Sequence, residues 1–225
     1  MSEELKIADR LRRSGKVEDA LAAYRALRGK GNDARVVYEI GLTHATFLND
    51  HEKALGFFDE ALAIDPAFAD ALFYRALSLR ALSRHEEAIA GLDAAERAGH
   101  QADDIPGHRG EAFEHLGQLE RAEREYTKAI SRTGDDEWLH YRRAEVRIQL
   151  GRETEALADL DRAIDLTQDY PDQELYQERA ELKFKLGDVA GGRRDLEIAD
   201  EVSKELPDSV RIQAGIRARL ADFSK

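Results

Sequence analysis

The sequence predicts an all-α protein built from helix-turn-helix hairpins stacked in line, and three columns of residues predict it. Ala20, Ala54, Ala88, Ala122 and Ala156 recur every 34 residues, and Gly192 follows after 36. Four residues further on stand Tyr24, Phe58, Leu92, Tyr126, Leu160 and Leu196; three beyond those come Leu27, Ala61, Ala95, Ala129, Ala163 and Ala199. Steps of four and three keep the columns on one helical face. A fixed period of this size marks stacked supersecondary units, each packing on its neighbours, rather than one closed domain.

The hairpins follow from local signals, and six fit the chain at about 1–34, 35–68, 69–102, 103–136, 137–171 and 172–204. In the first, Leu5, Ala8 and Leu11 give one amphipathic helix, Ser14-Gly15-Lys16 breaks it, and Val17, Ala20, Leu21, Tyr24 and Leu27 give the second. The second hairpin carries Val37, Ile40, Gly41, His44 and Phe47, turns at Asn49-Asp50, and runs from about His51 to Ile64 before Asp65-Pro66 stops it. It has one residue more between Gly41 and its alanine than the first hairpin has between the matching positions, which predicts a longer turn. The third runs from about Ala69 to Ala98 around Ser83-Arg84, and the fourth from about Asp104 to Arg132 around Gly117. Pro106 fits only the first turn of a helix, so that helix is predicted to start near Asp104 or Ile105 and to be short. The fifth covers about Glu137 to Leu166 around Gly151 and the sixth about Asp172 to Ser203 around Gly187, with the two additional residues of the longer interval placed in 167–171. Residues 205–225 repeat Val210, Ile212, Ile216, Leu220 and Phe223 among polar residues, as expected of a helix that caps the last repeat.

Composition bounds the function. The chain is 42% hydrophobic and 36% charged with four prolines, which suits a soluble helical protein with a continuous core. It has no cysteine, so disulfides and thiolate metal sites are excluded. The opening residues carry no apolar signal core and no window approaches a bilayer span, so a cytoplasmic protein is expected. A net charge of −12 argues against nucleic acid and anionic membrane as partners, because both need clustered Lys and Arg. Arg10, Arg12 and Arg13, and Arg193 with Arg194, read as solvated helix faces.

The columns, Ile40-Gly41, and the run from Ala54 through Phe58 and Ala61 to Asp65-Pro66 resemble the tetratricopeptide repeat, a 34-residue helix-turn-helix unit. The resemblance covers about residues 1–204. The aromatic opening position is mostly replaced, Leu27 stands where alanine is usual, and Gly192 replaces an alanine. It implies a right-handed superhelix whose first helices line a concave groove. Small residues in the first helices (Ala76, Gly110, Ala144, Ala180) and the alanine columns of the second let backbones approach closely.

No P-loop, nucleophile elbow or zinc-protease signature is present, and no cofactor is expected. His51-Glu52 and His85-Glu86 lie 34 residues apart in the same slot and belong to the repeat. His108, Glu111 and His115 fall on one helical face with metal-ligand residue types, but decoration of a charged face is the preferred reading. Arg75, Arg109, Arg143 and Arg179 each precede a first-helix small residue; stems packed and heads paired to acids of an adjoining unit is preferred to anion binding.

In the family that this chain resembles, peptides are contacted by the exposed face of the first helices. Projected here, that face comprises Tyr38 and Glu39; Phe73, Tyr74, Leu77 and Arg80; His108 and Glu111; Trp138, Tyr141 and Arg142; and Glu174, Glu178 and Glu181. Rings and Arg supply interface energy, and the C-terminal part is acidic. The alternative for the rings is packing on the next repeat. The expected ligand is an aromatic or hydrophobic peptide with a basic flank. The family's Lys, Asn, Asn, Lys, Arg set for a chaperone carboxylate tail falls on Leu5, Asp9, Glu39, Asp70 and Tyr74, or one hairpin later on Tyr38, Leu42, Tyr74, Asp104 and His108, and is missing in both frames. A non-catalytic interaction scaffold, monomeric or weakly self-associating, is therefore the leading expectation. Its rivals are self-assembly through the C-terminal helix, a secretion-type chaperone, and a metal-dependent enzyme at His108, Glu111 and His115.

Overall fold

The computed structural model describes residues 2–101, 103–167 and 172–205, and Ile216. The described residues form twelve α-helices, a short 3-10 turn and no strand. They fall into two compact units, Met1–Leu116 and Gly117–Lys225.

The first unit holds α1 (Glu3–Arg13), α2 (Val17–Arg28), α3 (Ala34–Phe47), α4 (His51–Ile64), α5 (Ala69–Ala81), α6 (His85–Arg97) and α7 (Ile105–His115). The second holds α8 (Leu119–Thr133), α9 (Glu137–Gln149), α10 (Glu153–Leu166), α11 (Gln173–Lys185) and α12 (Val189–Val202). Within each unit, helices adjacent in sequence pack on one another, as stacked hairpins require. Asp33, Asp136 and Asp172 cap α3, α9 and α11 by accepting from a backbone N–H in the first turn.

Each turn between the two helices of a hairpin has three residues, and its middle one has positive φ: Gly15 at 77°, Asn49 at 50°, Ser83 at 60°, Gly117 at 68°, Gly151 at 71° and Gly187 at 88°. This left-handed residue lets the next N–H reach back to an open carbonyl of the preceding helix. Lys16 N, Arg84 N, Arg152 N and Asp188 N donate to the carbonyls of Leu11, Leu79, Arg147 and Lys183, five residues earlier. In the second hairpin, Asp50 N donates to the His44 carbonyl, six residues earlier, at 2.9 Å. Contrary to the expectation from sequence, the additional residue there does not lengthen the turn. It extends α3 to 14 residues and widens the closing hydrogen bond.

The repeat columns are the core. The six second-helix positions Tyr24, Phe58, Leu92, Tyr126, Leu160 and Leu196 are each 0% exposed. So are Ala20, Ala54, Ala88, Ala122 and Ala156. Burying each larger side chain contributes roughly 1.5–3 kcal/mol. The two departures in the alanine columns have physical reasons. A Cβ at Gly192 would lie 2.7 Å from the ring of Phe184 on α11, so that ring occupies the space an alanine would use. Leu27, part-exposed at the end of α2, packs on the cluster of Leu5, Tyr24 and Ile40.

The arginine column ties helices together. Arg75 Nε reaches Asp59 at 2.6 Å, and Arg109 Nη1 reaches Asp93 at 2.6 Å, each acid lying 16 residues earlier on the preceding second helix. In the second unit, Arg143 and Arg179 grip Asp159 and Asp195, 16 residues later on their own second helices. Arg179 also reaches back to Asp161 at 2.8 Å.

Ile216 is buried against Ala180, Leu196 and Ala199. The rest of the segment expected from sequence to cap the last repeat, 206–215 and 217–225, lies outside the described residues, as do 168–171, where the added pair of residues is expected.

Candidate interaction faces on the first helices

In the first unit, the predicted residues divide by depth. Tyr38 and Phe73 are 3% and 5% exposed, so they support the face rather than present themselves on it. Tyr38 lies between Phe58, Phe68 and Tyr74, at centroid distances of 5.9, 5.0 and 6.0 Å. Phe73 stacks on His100 at 4.2 Å and meets Tyr74 edge-on at 5.3 Å. Tyr74, Leu77, Arg80 and His108 remain part-exposed. Rings packed behind half-open ones hold them in place, which lowers the entropy cost of using them for binding.

Charges frame this face. Arg80 of α5 pairs with Glu111 of α7. His108 lies 3.4 Å from Asp104 and 3.7 Å from Glu111; burial opposes its protonation, but the two carboxylates outweigh it and raise its pKa. Glu39, fully buried, is met by Arg35 at 2.7 Å and Arg12 at 3.2 Å. Burial pushes its carboxyl above the usual range, and the arginines pull back. Asp9 beside it accepts from the buried Tyr24 hydroxyl at 2.7 Å.

The three residues with metal-ligand types do not converge. Glu111 is engaged by Arg80, while His115 stacks on His85 of α6 at a centroid distance of 4.7 Å. Among the described residues, no group of three or more His, Asp or Glu is arranged to hold a metal ion.

In the second unit, Tyr141 of α9 donates to Glu178 of α11 at 3.1 Å. Burial, with Glu145, Glu181 and Glu174 around it, raises the Glu178 pKa, while the Tyr141 hydroxyl pulls the other way. Burial also raises the Tyr141 pKa, with Glu178 and Glu145 adding to it. Arg142 pairs with Glu145 at 2.6 Å. Trp138 is 41% exposed and meets the buried Tyr126 edge-on at 6.2 Å, so the indole touches the core while part of it stays open. Beside Glu178 lies a cavity of about 310 Å³, lined by Ile148, Glu178, Glu181, Leu182 and Lys185. Of these, the periodicity points to the two glutamates only; the aliphatic pair and Lys185 fall further along α9 and α11.

A family profile for the tetratricopeptide repeat matches residues 5–67, 47–103 and 108–171. The chain belongs to the tetratricopeptide repeat family. Solved structures agree on the fold. The chain is similar to MamA from Desulfovibrio magneticus RS-1, residues 41 to the end, with a TM-score of 0.69, 21% identity, and coverage of 76% of this chain and 99% of that one. It is similar to the C-terminal part of a TPR repeat-containing protein from Cytophaga hutchinsonii (TM-score 0.75, 17% identity, 88% and 78% covered). It is also similar to YrrB, described as a TPR protein with an unusual peptide-binding site (TM-score 0.67, 17% identity, 84% and 96% covered). A stretch of 39 residues is 51% identical to an uncharacterized protein of Methanocaldococcus jannaschii, spanning 45% of that relative's length. Tetratricopeptide repeats build extended surfaces used in protein–protein interaction. No helix among the described residues is long and apolar enough to cross a membrane.

Proposed function

We propose that this tetratricopeptide-repeat chain is a non-catalytic scaffold, built from six repeats and a C-terminal capping helix, that binds an extended segment of another protein along its first helices. The observation that carries the reading is the pairing of Tyr141 with Glu178, which holds a ring and an acid side by side on adjacent first helices. On the first unit, the half-open Tyr74 and Leu77 offer apolar contact beside Arg80. The preferred ligand is a peptide with aromatic or aliphatic anchors and a basic flank, and the scaffold acts in the cytoplasm as a monomer or weak oligomer. Burial of Ile216 against its own chain favours a capping role for the C-terminal segment over donation to a second copy.

Selection from a displayed random-peptide library, followed by calorimetry on synthesised winners, tests this. The expected result is enrichment of Phe, Tyr or Leu next to Lys or Arg, with at least tenfold weaker binding in the Tyr74→Ala, Tyr141→Ala double variant. A ring truncation at an interface costs about 1–2 kcal/mol or more. Binding untouched by the double variant moves the site off the first helices and overturns the reading.

A further inference from the structure

We propose that the cavity between α9 and α11 is a pocket for a single basic side chain, lysine or arginine, carried by the bound protein segment. This deepens the scaffold reading above and rests on it.

Four of the acids buried elsewhere among the described residues are each met by a cation. Asp159 is met by Arg143 at 2.6 Å and Arg147 at 2.7 Å, and Asp195 by Arg179 at 2.7 Å and Lys183 at 2.8 Å. Glu39 has Arg12 and Arg35, and Glu125 has Lys128 at 2.5 Å. A carboxylate removed from water is stabilised by a cation, and the fold supplies one in these four cases; Asp9, which accepts from the Tyr24 hydroxyl, has the charge of Arg12 acting on it. Glu178 differs. It is part-buried, its hydrogen bond comes from the neutral Tyr141 hydroxyl, and among the described residues the charges that act on it are those of Glu145, Glu181 and Glu174. Lys185, the one cation among the described residues that line the cavity, is turned to Glu153 at 2.6 Å.

The shape of the cavity narrows the occupant. Its walls include the aliphatic side chains of Ile148 and Leu182, and the carboxylates of Glu178 and Glu181 stand one turn apart on α11. About 310 Å³ is room for a side chain and its water, not for a folded element. An apolar wall ending in acid matches a long methylene stem ending in a cation, which buries its stem while the head meets charge. A bare metal ion would gain nothing from Ile148 and Leu182, and an aromatic side chain would leave Glu178 without a counter-charge. The chain's net charge of −12 favours approach of a basic segment over longer range.

Methyl-resolved NMR on the full chain tests this, reading Ile148 and Leu182 during titration with Nα-acetyl-lysine-N-methylamide, and with the norleucine analogue as its uncharged counterpart. The expected result is saturable shifts with the lysine probe, weakened by salt, and no saturation with norleucine. Glu178→Gln, which still accepts from Tyr141, is expected to weaken binding roughly fivefold. Equal response to the two probes, or binding unchanged in Glu178→Gln, overturns the proposal. Spermidine filling the pocket where the lysine probe does not would mark a free-polyamine site and overturn the peptide side chain as occupant. If the lysine probe fails while selected peptides bind and lose affinity with Tyr74→Ala, the pocket falls and the scaffold stands. If no peptide binds at all, the scaffold reading falls, and with it the peptide as source of the cation.

Discussion

Arg179 and Asp195 face one another across α11 and α12 in a two-pronged pair, Nε at 2.9 Å and Nη2 at 2.7 Å, and the same pair recurs 36 residues earlier as Arg143 and Asp159. The acid is almost fully buried in both, with 3% and 4% of its side chain exposed. A planar fork matched to a carboxylate fixes the angle between helices as well as their distance.

Removing Asp159 takes from Arg143 the carboxylate it grips and leaves Arg147 with Glu123 at 3.0 Å and Glu155 at 3.5 Å. Asp159→Ala should destabilise the chain by roughly 2–4 kcal/mol, since Arg143 and Arg147 lose their shared acceptor. Urea unfolding of the variant checks this; a loss below about 0.5 kcal/mol would mean the arginines find water freely. The Arg143→Met, Asp159→Leu double variant should lose less than the two single losses added together.

Two helical glycines should respond with opposite sign. Gly56 on α4 has nothing within 4 Å of where a Cβ would stand, so Gly56→Ala should raise stability by about 1 kcal/mol through helix propensity. At Gly41 on α3, a Cβ would come within 2.9 Å of the Phe58 ring and 3.0 Å of Phe57 Cβ. Gly41→Ala should therefore lower stability by roughly 1–3 kcal/mol, overpacking outweighing propensity. Paired thermal melts read both changes.

The left-handed turn residues make a second pair. Gly151→Ala should cost about 1 kcal/mol or more, because φ of 71° places a Cβ against the carbonyl. Ser83 already bears that strain at φ 60°, and Ser83→Gly should be neutral or stabilising. Loss of stability in Ser83→Gly would show that its hydroxyl matters more than its backbone.

His44 should make folding sensitive to acid. It is 6% exposed, stacks on Phe57 at 5.4 Å, and burial lowers its pKa from 6.5, with Asp50 opposing and Lys53 and Arg25 assisting. A depressed histidine contributes stability that is fully present above its unfolded pKa and is lost as pH falls from about 6.5 through the folded value. His108, whose pKa is raised, acts in the opposite sense. The His44→Gln variant should thus lose less melting temperature than wild type between neutral and mildly acidic pH. An identical pH profile in the two proteins would contradict this.

Peptides ending in an acidic free carboxylate should not bind the first unit. In the frame beginning at Leu5, the slots where such a tail would need cations hold Asp9, Glu39 and Asp70. Calorimetric binding that disappears when the terminal carboxylate is amidated would show the projected face to be misplaced.

Particular elements show how far sequence reaches. The alanine and aromatic columns needed no coordinates, because packing at close range tolerates few side chains and so writes itself into spacing. Even the arginine column and its acids keep a constant offset of 16, although only the structure tells whether the acid lies before or after. The extra residue after Gly41 was visible as a count, but not its destination, since turn and helix end compete for it through one closing hydrogen bond. Tyr38 and Tyr74 look alike in sequence; one is buried and one half-open because Phe58 and Phe68 enclose the first.

The sequence by itself determined the helical class, the hairpin period and the family of this protein, since these depend on which residues fit against a neighbouring backbone, a constraint repeated at every unit. Tertiary structure alone decided which first-helix side chains stay open and which acids find a cation. Those outcomes turn on where side chains from different hairpins end up relative to one another. Glu178 is the clearest instance: its residue type is ordinary, and that it meets carboxylates rather than a cation among the described residues arises only from the neighbours that folding gives it.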